Sequence, residues 1–334
     1  MSRSKLRELG ISLPLLPVTS VGSFPKPDTL RKARSDFARG KIGQEELSEA
    51  EKSAVNWWIR KQEELGLDVL VDGEMYRGDM VAYFAEQLAG FETGGLVRSY
   101  GNRYYHKPII TSKVSGSHPI TVEWWRYAQG LTSKPVKGIL TGPYTLMDWS
   151  FNEYYPTRRD ACLALAVEIH REAEALVSAG CKIIQIDEPA ISARPQELAL
   201  ATEAMRIVTG GLPAYFITHI CYGDFESIYP AMLDLAVDNF DLEMSNSRAD
   251  MLPLFGKSSF TKDISYGVVD VHSHLVEEPA VVENRLRDGL EVLHCESVWV
   301  DPDCGLKTRT VDEAIAKLKA VISAAHALRD EVQQ

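Results

Sequence analysis

Short apolar runs recur along the chain, and each gives way to a polar residue. Pro17-Val18-Thr19-Ser20-Val21 leads into Gly22-Ser23, and Asp68-Val69-Leu70-Val71-Asp72 leads into Gly73-Glu74. Val136 to Leu140 meets Thr141-Gly142, and Lys182 to Ile186 meets Asp187. Ala214-Tyr215-Phe216-Ile217 runs on to His219 and Cys221, and Asn239 to Leu242 meets Glu243. Tyr266 to Val271 meets His272, and Ser297 to Val300 meets Asp301-Pro302-Asp303-Cys304. Runs of this length, rich in Val, Ile and aromatic residues, read as buried strands. Between them the apolar positions take helical spacing. The spacing predicts helices over 29–65, 75–92, 122–132, 158–179, 195–208, 225–235, 251–255, 280–293 and 310–329, with a short one within 1–16. Residues 93–120, rich in Gly, Tyr and Ser, read as an excursion in which Ile109 to Val114 forms an extra strand pair.

Steady alternation of strand and helix implies parallel strands with right-handed crossovers. The expected fold class is α/β, a single (β/α)8 TIM barrel over residues 1–334, with its active site at the C-terminal ends of the strands. A doubly wound open sheet is the competing arrangement. It would gather polar residues at one switch point, whereas here they close every strand.

Charge and composition narrow the function. The chain has 334 residues and a formal net charge of −11. Acidity without a basic run argues against nucleic acid as a partner. No apolar h-region follows the basic residues Arg3 and Lys5, and no apolar run reaches spanning length. A cytoplasmic location away from the membrane is therefore expected. The five cysteines are odd in number, which argues against a disulfide framework. Cys162, Cys181 and Cys295 read as structural, whereas Cys221 and Cys304 sit at loop entries.

In a barrel these strand ends converge on one mouth. His219 and Cys221, two residues apart on a strand, face the same way. With Glu243 and Cys304 they make a possible zinc set of one nitrogen, two sulfurs and one oxygen. Zinc there would hold a bound thiol as a thiolate near neutral pH. Glu74 and Asp187 suit a substrate ammonium, and Val21-Gly22-Ser23 suits its carboxylate. Together they describe an amino acid with a thiol side chain. His272 is a candidate general acid. Blander readings stand beside these: core packing for His219 and Cys221, a solvated loop carboxylate for Glu243, a packed thiol beside a turn for Cys304. Glu74 and Asp187 could instead pair with Arg77, and His272 could be a satisfied rim histidine.

The stretches Val21-Gly22-Ser23-Phe24-Pro25, Gln62 to Glu74, Gln185-Ile186-Asp187-Glu188-Pro189-Ala190, Thr218 to Tyr222 and Asp301 to Arg309 resemble the catalytic half of cobalamin-independent methionine synthase. The resemblance runs from about residue 17 to 329. It implies a barrel that transfers a methyl group to L-homocysteine, giving L-methionine. It also implies zinc on His219, Cys221, Glu243 and Cys304, homocysteine contacts at Val21, Ser23, Glu74 and Asp187, and a catalytic His272. The family's second, N-terminal barrel has no counterpart here, so the likeness is to a short core form. Trp149 and Arg103 match the family's folate pocket. Tyr104 and Ala193 replace a small thiol residue and an acid. From these departures the expected methyl donor is methylcobalamin or a methylated corrinoid protein, in preference to methyltetrahydrofolate. Competing readings are a zinc-thiol alkyltransferase of the coenzyme M type, a metal-free decarboxylase of the uroporphyrinogen type, and a non-catalytic binder of amino-acid thiols.

Overall fold

The buried apolar runs supply the strands. In the computed structural model, residues 2–99, 103–221, 225–245, 251–258 and 260–332 are described. The chain packs as two compact units, one of residues 77–123 and 138–238, the other of residues 1–76, 124–137 and 239–334.

Among its described residues the first unit holds six strands. β1 (Ala89–Ser99) and β2 (Arg103–Ser115) pair as an antiparallel ribbon. This replaces the expected short strand pair and the end of the expected helix over 75–92, which is confined to Met80–Gln87. Asp79 caps that helix by accepting from the backbone of Val81 and Ala82. The ribbon is legible afterwards in its β-prone Tyr, Ile, Thr and Val. Its register slips near Gly90, where a β-carbon would lie 2.6 Å from the Lys113 carbonyl oxygen. β3 (Gly138–Thr141), β5 (Ile183–Asp187) and β6 (Tyr215–Ile220) lie parallel in that order, and β4 (Phe151–Asn152) pairs with β2. Every residue of β3, β5 and β6 is buried, as continuous apolar strands covered on both faces should be. Helices Arg158–Ser178 and Leu198–Thr209 make the crossovers. The helix expected over 225–235 is two 3-10 turns, Phe225–Ser227 and Ala231–Asp234, because Pro230 interrupts the hydrogen-bond ladder.

The second unit continues the pattern. β7 (Asn239–Leu242), β8 (Asp263–Gly267) and β9 (Val298–Asp301) are parallel neighbours. The runs at 17–21 and 68–72 contribute single bridges, Val18 to Val300 and Leu70 to Val136. Backbone bonds from Thr19 to Val300 (3.0 Å) and from Lys137 to Leu70 (2.9 Å) hold them in the parallel arrangement. The region 29–65 is two helices, Asp28–Ala38 and Gln44–Leu65. The chain turns between them at Gly40, whose φ of +67° suits glycine. Fully buried Trp58 stacks on Phe24 at 4.2 Å and donates to the Pro25 carbonyl, anchoring the loop after Val21. Helices Pro279–Leu290 and Val311–Val332 complete the unit. Among the described residues no helix is long and apolar enough to cross a membrane.

Candidate active site

The chemistry lies where strands end. His219, 3 % exposed, sits on β6 in register with Asp187, the last residue of β5. Cys221 follows the strand and is also buried. Their backbone is fixed from one side: the Glu188 amide donates to the His219 carbonyl at 2.9 Å, and the Ser192 hydroxyl donates to the Cys221 carbonyl at 3.2 Å. His219 and Cys221 offer a nitrogen and a sulfur at the end of β6, and Cys304 offers a second sulfur in the loop after β9. These are the donor types of a zinc site.

Glu243 follows β7 directly and is buried. Its Oε1 lies 3.4 Å from His272 Nε2. The hydrogen bond to Glu243 raises the His272 pKa above the usual histidine value, against partial burial, and the Cys304 side chain adds to the rise. His272 stands five residues past β8 and not at its end, as the sequence pattern had it. The strand stops at Gly267, where a β-carbon would meet Asp303 Oδ1 at 2.4 Å. The His272 amide is held by Asp270 Oδ1 at 2.7 Å.

Of the residues expected to hold an amino acid, Asp187 ends β5, and the others end or follow the runs at 17–21 and 68–72 that make single bridges. Val21, Gly22 and Ser23 are buried. The Ser23 carbonyl accepts from the Leu306 amide at 2.7 Å, two residues past Cys304. Glu74 is half-buried on a turn in which Gly73 and Glu74 both have positive φ, 75° and 55°. That conformation is costly for a non-glycine residue. Asp72 over-determines it, accepting from the Glu74 amide at 2.8 Å and from the Tyr76 hydroxyl at 2.9 Å. Asp187 accepts from Gln185 Nε2 at 2.7 Å. Arg77 is buried over the rings of Tyr83 and Phe84 and donates to the Ile139 carbonyl at 2.6 Å. Trp149, half-buried, ends the helix Pro143–Asp148. The side chains of Arg103 and Tyr104 lie outside the described residues, and Ala193 closes the turn Pro189–Ala193.

Three acids carry more of this geometry than their sequence signal announced: Asp72, Glu188 and Asp303. Each is a polar residue inside a motif whose neighbour drew the attention. The signal available was only their burial-prone setting beside Glu74, Asp187 and Cys304.

Residues 16–327 match the family described as cobalamin-independent synthase, catalytic domain. The chain belongs to this family. A 5-methyltetrahydropteroyltriglutamate–homocysteine methyltransferase from Histophilus somni (strain 2336) is 42 % identical over 342 residues, covering 99 % of this chain and 45 % of that protein. The protein of the same name from Mycolicibacterium paratuberculosis (strain ATCC BAA-968 / K-10) is 41 % identical over 339 residues, covering 98 % and 45 %. The chain therefore spans about half the length of these relatives. Among solved structures, a B12-independent methionine synthase from Shewanella sp. W3-18-1, in complex with selenomethionine, superposes with a TM-score of 0.87. It shares 25 % identity and covers 96 % of this chain and 99 % of its own. The fold is the TIM-barrel-like α/β fold of such cobalamin-independent synthase domains.

Membership of the cobalamin-independent synthase family corrects one expectation. Methylcobalamin, or a methylated corrinoid protein, is overturned as donor, because the family is cobalamin-independent and these relatives are named for a methyltetrahydropteroyl donor. The physical reason lies in the thiol side of the site. Its strand-end residues would serve either donor, so the substitutions at Tyr104 and Ala193 were too little to exclude a pterin.

Proposed function

We propose that this chain transfers a methyl group from a 5-methyltetrahydropteroyl glutamate to the thiol of L-homocysteine, giving L-methionine. His219, Cys221, Cys304 and Glu243 are the residues that would hold a zinc ion. The observation that carries the reading is a buried imidazole and a buried thiol two residues apart at the end of β6, in a member of this family. Zinc so bound would lower the pKa of a coordinated thiol and keep it as thiolate near neutral pH.

The remaining steps belong to the chain's own side chains. Glu74 and Asp187 bind the substrate ammonium, and the Val21-Gly22-Ser23 turn binds its carboxylate. This pairing favours an amino-acid thiol over a sulfonate thiol of the coenzyme M kind. Trp149 offers a flat face to the pterin ring, and Arg103 is assigned to the same donor. The thiolate sulfur attacks the methyl carbon as the bond from carbon to the pterin nitrogen breaks. His272, whose pKa the hydrogen bond to Glu243 raises, is assigned to supply the proton that the departing nitrogen takes up.

The test is methionine formation by protein of measured zinc content. Homocysteine is offered with 5-methyltetrahydropteroyl-triglutamate, with the monoglutamate, or with no donor. Methionine from the pterin donors, with coenzyme M unmethylated in a parallel run, is expected. Zinc-loaded protein that forms no methionine from either pterin would remove the proposal.

A further inference from the structure

We infer that Asp303 is a positioning residue which joins the loop of Glu243 to the loop of Cys304 and thereby sets the affinity of the metal site. This rests on the zinc reading given above. Asp303 is fully buried and precedes Cys304. Its Oδ1 accepts from the Met244 amide at 3.2 Å and the Ser245 amide at 3.0 Å, and its Oδ2 accepts from the Ser245 hydroxyl. Its own amide donates to the Val269 carbonyl at 3.1 Å. One residue thus ties together the segments leaving β7, β8 and β9, which carry Glu243, His272 and Cys304.

The fold makes room for this strut. A β-carbon at Gly267 would stand 2.4 Å from Asp303 Oδ1 and 2.8 Å from the Leu242 carbonyl oxygen, so β8 can pass only as glycine. An ionised carboxylate is the side chain suited to the place. It is acceptor-only, it can meet three donors with two oxygens, and charge-assisted bonds are roughly twice as strong as neutral ones. Asparagine keeps one carbonyl oxygen for the two amides and turns its NH2 toward Ser245, whose hydroxyl can accept. The asparagine variant should therefore preserve most of the geometry, and alanine should lose it.

Residues that orient ligands from behind typically change metal affinity by about 10- to 100-fold when removed. Zinc affinity is measured by competition with a chromophoric chelator for wild type, Asp303→Ala, Asp303→Asn and Ser245→Ala. Amide hydrogen exchange at 243–245 is measured on the metal-free proteins. Asp303→Ala is expected to weaken zinc about 10- to 100-fold and to speed exchange at Met244 and Ser245. Asp303→Asn should recover at least half of that loss on a logarithmic scale, and Ser245→Ala should show a smaller loss of the same sign. A folded Asp303→Ala protein with wild-type zinc affinity or wild-type exchange overturns the inference. If that variant does not fold, unchanged zinc affinity and exchange in Ser245→Ala overturn it. Wild type that binds no zinc would instead sink the metal reading, and the exchange data would still decide the strut.

Discussion

Ser23 and Gly305 approach so closely that a β-carbon on Gly305 would lie 2.2 Å from the Ser23 hydroxyl oxygen. The Leu306 amide then donates to the Ser23 carbonyl at 2.7 Å. The turn assigned to the substrate carboxylate is therefore registered against the turn that carries Cys304. Gly305→Ala is expected to push Ser23 aside and to cost about 1–3 kcal/mol of stability through overpacking. Because misplacement of about 1 Å can cost roughly 100-fold in rate, kcat/KM for homocysteine should fall by up to about 100-fold in protein that is still folded. Steady-state kinetics beside urea unfolding checks this. Unchanged kcat/KM would show that the two turns are not coupled.

Cys304 and Cys162 provide a contrast inside one chain. Cys162 is fully buried in the helix Arg158–Ser178, where burial pushes its thiol pKa well up, as for an inert packing residue. Cys304 is half-buried in a loop fixed by its neighbour Asp303. Cys304→Ser is expected to lose bound zinc and methionine formation, each by more than about 100-fold, beyond what loss of a residue supporting a ligand from behind would do. Cys162→Ser should keep its zinc and lose only stability. Metal analysis of both purified variants, with turnover, tests the pair. Zinc retained at full stoichiometry and affinity in Cys304→Ser would remove Cys304 from the ligand set.

Much of this is legible because the buried strands are mostly apolar up to their ends, although Gln185, Asp241 and Ser265 are buried inside them. Asp187, His219, Glu243 and Asp301 stand out from apolar runs for that reason, and the structure places each at or next to a strand terminus. The runs at 17–21 and 68–72 have the composition of full strands, yet each contributes a single bridge, since pairing depends on the neighbours' register and not on local propensity. The ribbon Ala89–Ser115 was blurred by Gly90, Gly94 and Gly95, which lower the local strand signal while permitting close backbone approach. His272 was placed at a strand end because Val268, Val269 and Val271 extend the apolar pattern past Gly267. The donor was misread for a different reason. The residues that activate a thiol carry no information about what the thiolate attacks.

Glu188 makes a prediction about the donor side. It is fully buried, and its carboxylate accepts from the Tyr144 amide at 3.0 Å, the Thr145 amide at 2.8 Å and the Thr145 hydroxyl at 2.7 Å. It thus caps from outside the helix Pro143–Asp148, which Trp149 ends. A β-carbon at Gly142 would collide with it at 2.1 Å. Glu188→Ala leaves buried donors unmet, at about 1–3 kcal/mol for each unsatisfied group. Its unfolding midpoint should drop, and KM for the pterin donor should rise as the Trp149 end of the helix shifts. A lower midpoint with unchanged donor KM would make Glu188 structural only.

Lys26 gives the pH dependence. Its ammonium donates to the Glu74 carbonyl at 3.3 Å. Burial first, then the neighbouring Arg34 and Lys307, bring its pKa down from 10.5 to about 8, against the opposing pull of Glu74 and Glu51. Between pH 8 and 10.5 the unfolded chain then holds a proton at this site that the folded chain has released. Stability contributed by Lys26 must therefore rise with pH across that window, and at pH 7 the buried charge is a liability. Lys26→Met removes the charge while keeping the length of the side chain. The variant should be more stable than wild type at pH 7, and the difference should shrink as pH climbs through 8 toward 10.5. Urea midpoints of the two proteins at several pH values test it. A difference that stays constant with pH would mean that the Lys26 ammonium is solvated in the folded protein.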